Sequence, residues 1–223
     1  MSSQDDTLYQ KWQTWLDVLD EQILNLHGQR KIYTDVLEMV QTNPPIQEGN
    51  VFFSWVAVWY CSSMSVGVRK QSDNDKDSIS YRRLLEGIKS NPRVISRTRF
   101  KNSFVDGNYS EWDANLCFDQ IVGPGLEYLD LNIVQNEIDE LAAKTSKLTT
   151  YVNKRVAHHD KNEFTAVPKF TDLNDAIDHL GNLHRRYHGI FRCLSLDHLT
   201  PTFMYDWTKV FRYSGLPVRS ITS

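Results

Sequence analysis

Glycine and proline are scarce in this chain, 10 and 7 of 223 residues. So few turn formers exclude an all-β or low-complexity chain and leave room for long helices. Cysteine is scarcer still: Cys61, Cys117 and Cys193 are odd in number, far apart and set in apolar sequence. They offer no disulfide framework and no Cys-x-x-Cys pair, and read as reduced core thiols of a cytoplasmic protein. A Gly-rich phosphate loop, a Gly-x-Ser-x-Gly elbow and a His-Glu-x-x-His pattern are all missing, so the common nucleotide, serine-hydrolase and zinc-hydrolase sites are not expected. Met1 to Thr7 is polar and acidic where a secretory signal needs a basic start and an apolar run; no targeting segment is expected.

What the chain does have is helical periodicity. Leu8, Trp12, Trp15, Leu19, Ile23 and Leu26 form one apolar stripe, which His27-Gly28 is expected to end or bend. Ile32, Val36, Leu37 and Val40 continue on a second helix that stops before Asn43-Pro44-Pro45. The stretch VFFSWVAVWYCSSMSVGVRK, from Val51 to Lys70, is apolar nearly all round. Its length touches the membrane threshold of about twenty residues, but Ser54, Ser62, Ser63 and Ser65 and its polar ends favour a fully packed core helix, with no membrane partner.

Ser78 is a plausible N-cap for ISYRRLLEGIK, Lys101 to Ser110 reads as a loop, and a short helix is expected over Trp112–Ile121, broken at Gly123-Pro124-Gly125. From Leu126 a long central helix carries Leu129, Val134, Ile138, Leu141, Thr145, Leu148, Val152 and Val156 near one face. Thr171 caps a last long helix whose face is Leu173, Ile177, Leu180, His184, Tyr187 and Phe191, and MYDWTKVF is a short amphipathic piece. The fold class is therefore all-α: a helical bundle with one long central helix and short accessory helices, a single domain over residues 1–223 with a short C-terminal extension from about 195.

The net charge of −3 hides a strong local separation. Arg82, Arg83, Lys89, Arg93, Arg97, Arg99 and Lys101 face the single acid Glu86, whereas Asp106 to Glu140 holds only acids. The two blocks can pair with each other, bridge two subunits, or present a basic face to phosphates. The run Asp73-Asn74-Asp75-Lys76-Asp77 is no EF-hand, since its sixth and twelfth positions are Ser78 and Leu84 instead of Gly and Glu.

Chemistry concentrates in TTYVNKRVAHHDKNEF, Thr149–Phe164. Two readings compete: a helix end charged because it meets water, or a site where a helix end holds an anion. With ~100° per residue, Arg155 and His158 lie on the flank of the apolar stripe and His159 points toward it. Adjacent histidines diverge, so they are poor joint metal ligands; His184 and His188, one turn apart, lack a third ligand. No metal and no cofactor is expected. A histidine near neutrality and an arginine do supply a proton acceptor and a cation for cleaving RNA through its 2′-hydroxyl without metal.

YVNKRVAHHDK, preceded by WYCSSMSVGVRKQSDNDKDSISYRRLLEGIKSNP and followed by DWTKVFRYSGLP, resembles the abortive-infection U-type group of the HEPN superfamily, from about Phe52 to about Pro217. The pairing of RKQSDNDKDSIS with NKRVAHHDK is its most specific part. The resemblance implies a helical bundle, often a symmetric dimer, in which an Arg and a His four to six residues apart meet their symmetry mates in a metal-independent endoribonuclease site used in phage defence and toxin systems. His158 matches the family histidine and Asn153 the polar residue that commonly follows the arginine. The arginine itself has no counterpart, because Tyr151, Val152 and Asn153 stand where it would precede His158. The expected catalytic set is His158, Arg155, Asn153 and His159, and the expected RNA contacts are Lys154, Lys161, Arg69, Arg97 and Arg99. Expected partners are RNA, a second copy of the chain and an antitoxin or other inhibitory protein. A non-catalytic helical binding or scaffold protein is the alternative.

Overall fold

The computed structural model describes residues 3–43, 51–104, 110–157, 161 and 167–212. Its helices are α1 (Ser3–Gln41), α2 (Val51–Gln71), α3 (Tyr81–Ser90), α4 (Arg97–Phe104), α5 (Glu111–Val122), α6 (Leu131–Tyr151), α7 (Phe170–Arg192) and the single turn α8 (Lys209–Arg212). A 3₁₀ turn, Pro92–Val94, precedes α4, and a π-helical turn, Val152–Val156, prolongs α6. Among the described residues the lone β-bridge, Ser96 to Tyr128, belongs to no strand. The fold is all-α, as the periodicity predicts.

Helix α6 packs along α7, α2 and α3, and α1 along α7 and α2, so α1, α2, α6 and α7 form the bundle. The apolar faces read from the sequence supply its core. Trp12, Leu19, Ile23 and Leu26 of α1 are buried with Leu16, and the whole expected face of α7 is buried from Leu173 to Phe191. Each such aliphatic or aromatic side chain contributes about 2 kcal/mol on leaving water, which is what holds helices with little intrinsic stability of their own. A stack of Tyr33, Tyr60 and Phe170, with Tyr33 and Tyr60 centroids 3.9 Å apart, ties α1, α2 and α7 together.

Local expectations are corrected in several places. His27-Gly28 does not end α1, which runs 39 residues without a break. A Cβ on Gly28 would come within 2.9 Å of Pro201 Cγ, so this glycine admits the returning chain instead of terminating the helix. Ser80, not Ser78, caps α3, accepting from Arg83 N at 3.1 Å. The loop expected from Lys101 begins later, since α4 runs to Phe104. The central helix starts at Leu131, not Leu126, because Asp130 caps it through Asn132 N at 2.8 Å. Helix α7 begins at Phe170, one residue ahead of the expected cap Thr171, with the Asp172 carboxylate accepting from Lys169 N at 2.8 Å. The C-terminal amphipathic piece shortens to Lys209–Arg212.

The largest departure is α2, expected to be packed all round. Its C-terminal half is, with Met64, Ser65, Val68 and Gln71 buried. Its N-terminal half leaves Phe52, Trp55, Val58 and Trp59 more than half exposed. By length and composition the helix is apolar enough to cross a membrane, with 17% of that window buried.

The seam between α1 and α7 carries polar groups. A Cβ on Gly181 would lie 2.8 Å from His27 Nε2 and from Leu199 Cδ1, so α7 presents bare backbone to the imidazole. Burial, reinforced by Arg30 and opposed by Asp178, pushes His27 down to about 4. His184 is pushed down to about 4 by burial and then by His188 and His27. Its Nδ1 lies 2.6 Å from the Tyr81 hydroxyl, which burial keeps protonated. That hydroxyl donates to a neutral imidazole whose Nε2 faces Asp20 Oδ1 at 3.2 Å.

Because unfolded histidine titrates near 6.5 and folded His27 near 4, the unfolded chain binds more protons between these values and stability is lost as pH falls through them. His27→Gln should therefore flatten the dependence of unfolding free energy on pH by about 1.4 kcal/mol per pH unit in that window. Denaturant titrations at pH 4.5, 5.5 and 7.5 check this; equal slopes for both proteins would refute it.

Candidate functional site

The end of α6 leaves the α-helical track. Val152 N still bonds back to Leu148 and Thr149, but Ala157 N reaches Val152 O, five residues earlier, at 2.8 Å. One residue is thereby added to the turn. The phase extrapolated along an unbroken α-helix fails here: Val152 is buried as expected, whereas Val156 is 37% exposed. The same correction applies to the angular placement of Arg155. His158 and His159 lie outside the described residues.

This turn packs against the C-terminal half of α2, and a side-chain pair joins the two. Arg69 Nε donates to Asn153 Oδ1 at 2.8 Å. Beside it, Ser72 Oγ lies 3.3 Å from Thr149 Oγ1, and it also meets Arg69 O at 2.9 Å. Gln71, fully buried, bonds Gln22 of α1 at 2.5 Å. The two segments that carry the sequence resemblance thus meet in space. An arginine 84 residues away in the chain stands beside Asn153. Lys154 and Arg155, both half-buried, continue along the same turn, and Lys161 is exposed.

The Arg69 guanidinium can offer a planar fork to a phosphate. Its Nε is engaged by Asn153, which orients the rest of the group. Arg69 is among the RNA contacts expected from the sequence; its bond to Asn153 is not legible from spacing, because it arises between helices.

Arg97 and Arg99 are placed elsewhere, in internal contacts. Arg97 pairs with Asp119, bonds Asn115 Oδ1 at 3.2 Å and Leu126 O at 2.8 and 2.9 Å, and stacks on Phe118 at 4.8 Å. Arg99 is buried, bonds Asp6 at 2.7 Å and lies over the Tyr9 ring at 4.7 Å. Lys101 pairs with Glu111, and Thr98 Oγ1 bonds Glu127 at 3.1 Å. Arg97, Thr98 and Lys101 thus tie the basic stretch to the acidic block, and Arg99 reaches the start of α1. Arg97 and Arg99 therefore leave the site around Asn153. The Arg97 guanidinium holds the Asp119 carboxyl below its usual range.

Nor do His184 and His188 form a ligand set, since His184 faces Tyr81 and Asp20 and the His188 Nδ1 lies 3.2 Å from Leu194 O. Among the described residues no group of three or more His, Cys, Asp or Glu side chains is arranged to hold a metal ion.

Arg99→Ala should lower stability by about 2 kcal/mol, between the values for screened surface pairs and fully buried ones. Thermal unfolding measures this loss, and a variant as stable as the parent would return Arg99 to the list of residues free to meet a ligand.

No curated protein and no solved structure matches the chain. Residues 9–205 match the AbiU2 family of HEPN proteins, HEPN_AbiU2, a span that takes in α1 as well as the paired segments around Arg69 and Asn153, and the chain belongs to that abortive-infection family.

Proposed function

We propose that this protein acts on RNA in phage defence or a toxin-antitoxin setting, as an endoribonuclease that needs no metal ion. The carrying observation is the 2.8 Å contact between Arg69 and Asn153. The family's arginine is missing from residues 151–153, and Arg69 brings a guanidinium to that neighbourhood from another helix. In this reading His158 takes the 2′-hydroxyl proton and the 2′-oxygen bonds to phosphorus. The bond from phosphorus to the 5′-oxygen breaks, and a second acid, for which His158 of a second copy of the chain is the candidate, returns a proton to that oxygen. Arg69 and Arg155 stabilise the crowded phosphate, and Lys154 and Lys161 attract the flanking backbone.

A second copy of the chain is the partner we assign to the exposed ridge of α2. Trp55 and Trp59, 6.2 Å apart and 57% and 59% exposed, head a patch with Phe52 and Val58. Contiguous apolar surface of this kind marks an interface. The ridge lies on the helix that also carries Arg69, so pairing through it brings two sites onto one assembly. An antitoxin or other inhibitory protein would act by covering that shared face.

The competing reading, an RNA-binding or scaffold protein without cleavage, is favoured by one observation: Val152, apolar and buried, stands where an arginine would.

Cleavage of single-stranded RNA should persist in chelator and leave 2′,3′-cyclic phosphate ends. His158→Ala should reduce it by roughly a hundredfold or more, the scale for a positioned acid or base. Arg69→Ala should do so comparably, with Arg69→Lys retaining part of the activity, while melting temperatures stay close to the parent. A parent inert on every RNA tried would establish the binding-only reading, and a His158→Ala variant as active as the parent would end the catalytic assignment. For the assembly, light scattering at micromolar concentration should give a dimer for the parent and a monomer for Trp55→Glu/Trp59→Glu; a monomeric parent would remove the second copy.

A further inference from the structure

Next to the Arg69 and Asn153 contact lies a groove that the cleavage chemistry does not use. It opens between α1 and α2, with a volume of about 400 Å³. One wall is a polar stripe of α1, Gln22, Asn25 and Gln29, at three- and four-residue spacing on a single helix face. Across from it, Ser62, Ser63 and Lys70 line the wall made by α2. The floor is apolar, and narrow where the helices close: a Cβ on Gly67 would come within 2.8 Å of Leu26 Cδ2. Val156, turned outward by the π-helical turn, forms the rim nearest the site.

We propose that this groove is a nucleobase pocket for single-stranded RNA, with adenine its preferred occupant. The proposal rests on the RNA-directed reading of the adjoining site.

The lining chemistry selects this class of ligand. Three carboxamides each carry a donor pair and an acceptor, and two hydroxyls serve as either. That mixture matches the edge of a planar heterocycle, which alternates donors and acceptors over a few ångströms. An oily ligand would leave these groups without partners, at a cost of desolvation. A bare phosphate would call for several cations, and the lining has Lys70 alone; an amine or metal cation would call for a carboxylate, and the lining has none. Sequence-specific RNA proteins read unstacked bases by such hydrogen bonds. Asn and Gln side chains suit adenine in particular, whose N6 amino group and N7 match an amide two-pronged. The amide of Gln22 is held in place by its bond to buried Gln71.

Position along the chain gives the groove its use. Lys70 and Arg69 are consecutive on α2, one lining the groove and the other bonded to Asn153. Val156 on the rim follows Arg155 directly. A base seated between α1 and α2 therefore leads its phosphate toward Lys70 and Arg69. The groove would choose which nucleotide flanks the cleaved bond, and the end of α6 would cleave it.

The test uses the full-length protein, 5′-fluorescein-labelled hexaadenylate and hexauridylate in anisotropy titrations, and free adenosine followed through the side-chain amide resonances of the groove. Hexaadenylate should bind about tenfold more tightly than hexauridylate, the factor expected from one well-made amide to adenine pair. Asn25→Ala/Gln29→Ala, two exposed positions on α1, should abolish that preference and the adenosine-induced shifts while leaving circular dichroism unchanged. Arg69→Ala should instead weaken both oligonucleotides alike and reduce the salt dependence. If the parent binds both RNAs equally, or the double variant keeps the preference, the pocket is overturned and the RNA-directed reading stands. If the parent binds neither RNA, that reading falls and the pocket with it. Adenosine shifts confined to residues outside the groove would also overturn it.

Discussion

The bundle depends on how closely α7 can approach α1. Gly181 presents backbone where any side chain would strike His27 and Leu199, and the same contact removes His27 from water. In that setting a charged imidazole is penalised, so His27 and His184 are held neutral. The Tyr81 hydroxyl bonds one nitrogen of His184, and Asp20 lies 3.2 Å from the other. One turn further along α7, Tyr187 bonds Glu137 of α6 at 2.5 Å, and Arg186 pairs with the same carboxylate at 3.2 Å. A polar residue buried in this way is costly when misplaced, so these contacts fix register as well as position. Helix α2 packs against α1, α6 and α7, and its C-terminal half is buried.

Two surfaces follow from that placement. Where α2 meets the end of α6, the π-helical turn and the contact between Arg69 and Asn153 gather cations beside the sequence that continues to His158. Where α2 meets α1, polar stripes of both helices face each other across a groove. Towards its N-terminus α2 turns Trp55 and Trp59 to water. One helix therefore borders the candidate site, the groove and the apolar ridge, which places nucleic-acid contact and self-association within reach of each other.

The charge blocks show how a sequence signal can be physically real and yet serve another end. Seven cations from Arg82 to Lys101 resemble a phosphate-binding strip. In the fold, Arg97 and Lys101 meet Asp119 and Glu111, Arg82 pairs with Glu86, and Arg99 is buried against Tyr9 and Asp6. Arg97, Arg99 and Lys101 thus join α4 to α5 and to the start of α1. The cation at the candidate site comes instead from Arg69, outside the block.

Apolar periodicity determined the helical class and the buried faces of α1, α6 and α7, because burying a stripe of side chains is a local pattern repeated every turn, and the turn formers Gly123-Pro124-Gly125 marked a break. Gly28 misled because its partner lies far along the chain, reading as a helix end until Pro201 packs on it, and Ser78 yielded the cap position to Ser80 two residues on. The even apolarity of Val51–Lys70 carried no direction, so only packing decided which half met the core. The shift of Val156 to the surface, the internal pairing of Arg97 and Arg99, and the meeting of Arg69 with Asn153 were likewise decided by tertiary structure. Each of these depends on a contact between helices, and a contact between helices has no period in the sequence.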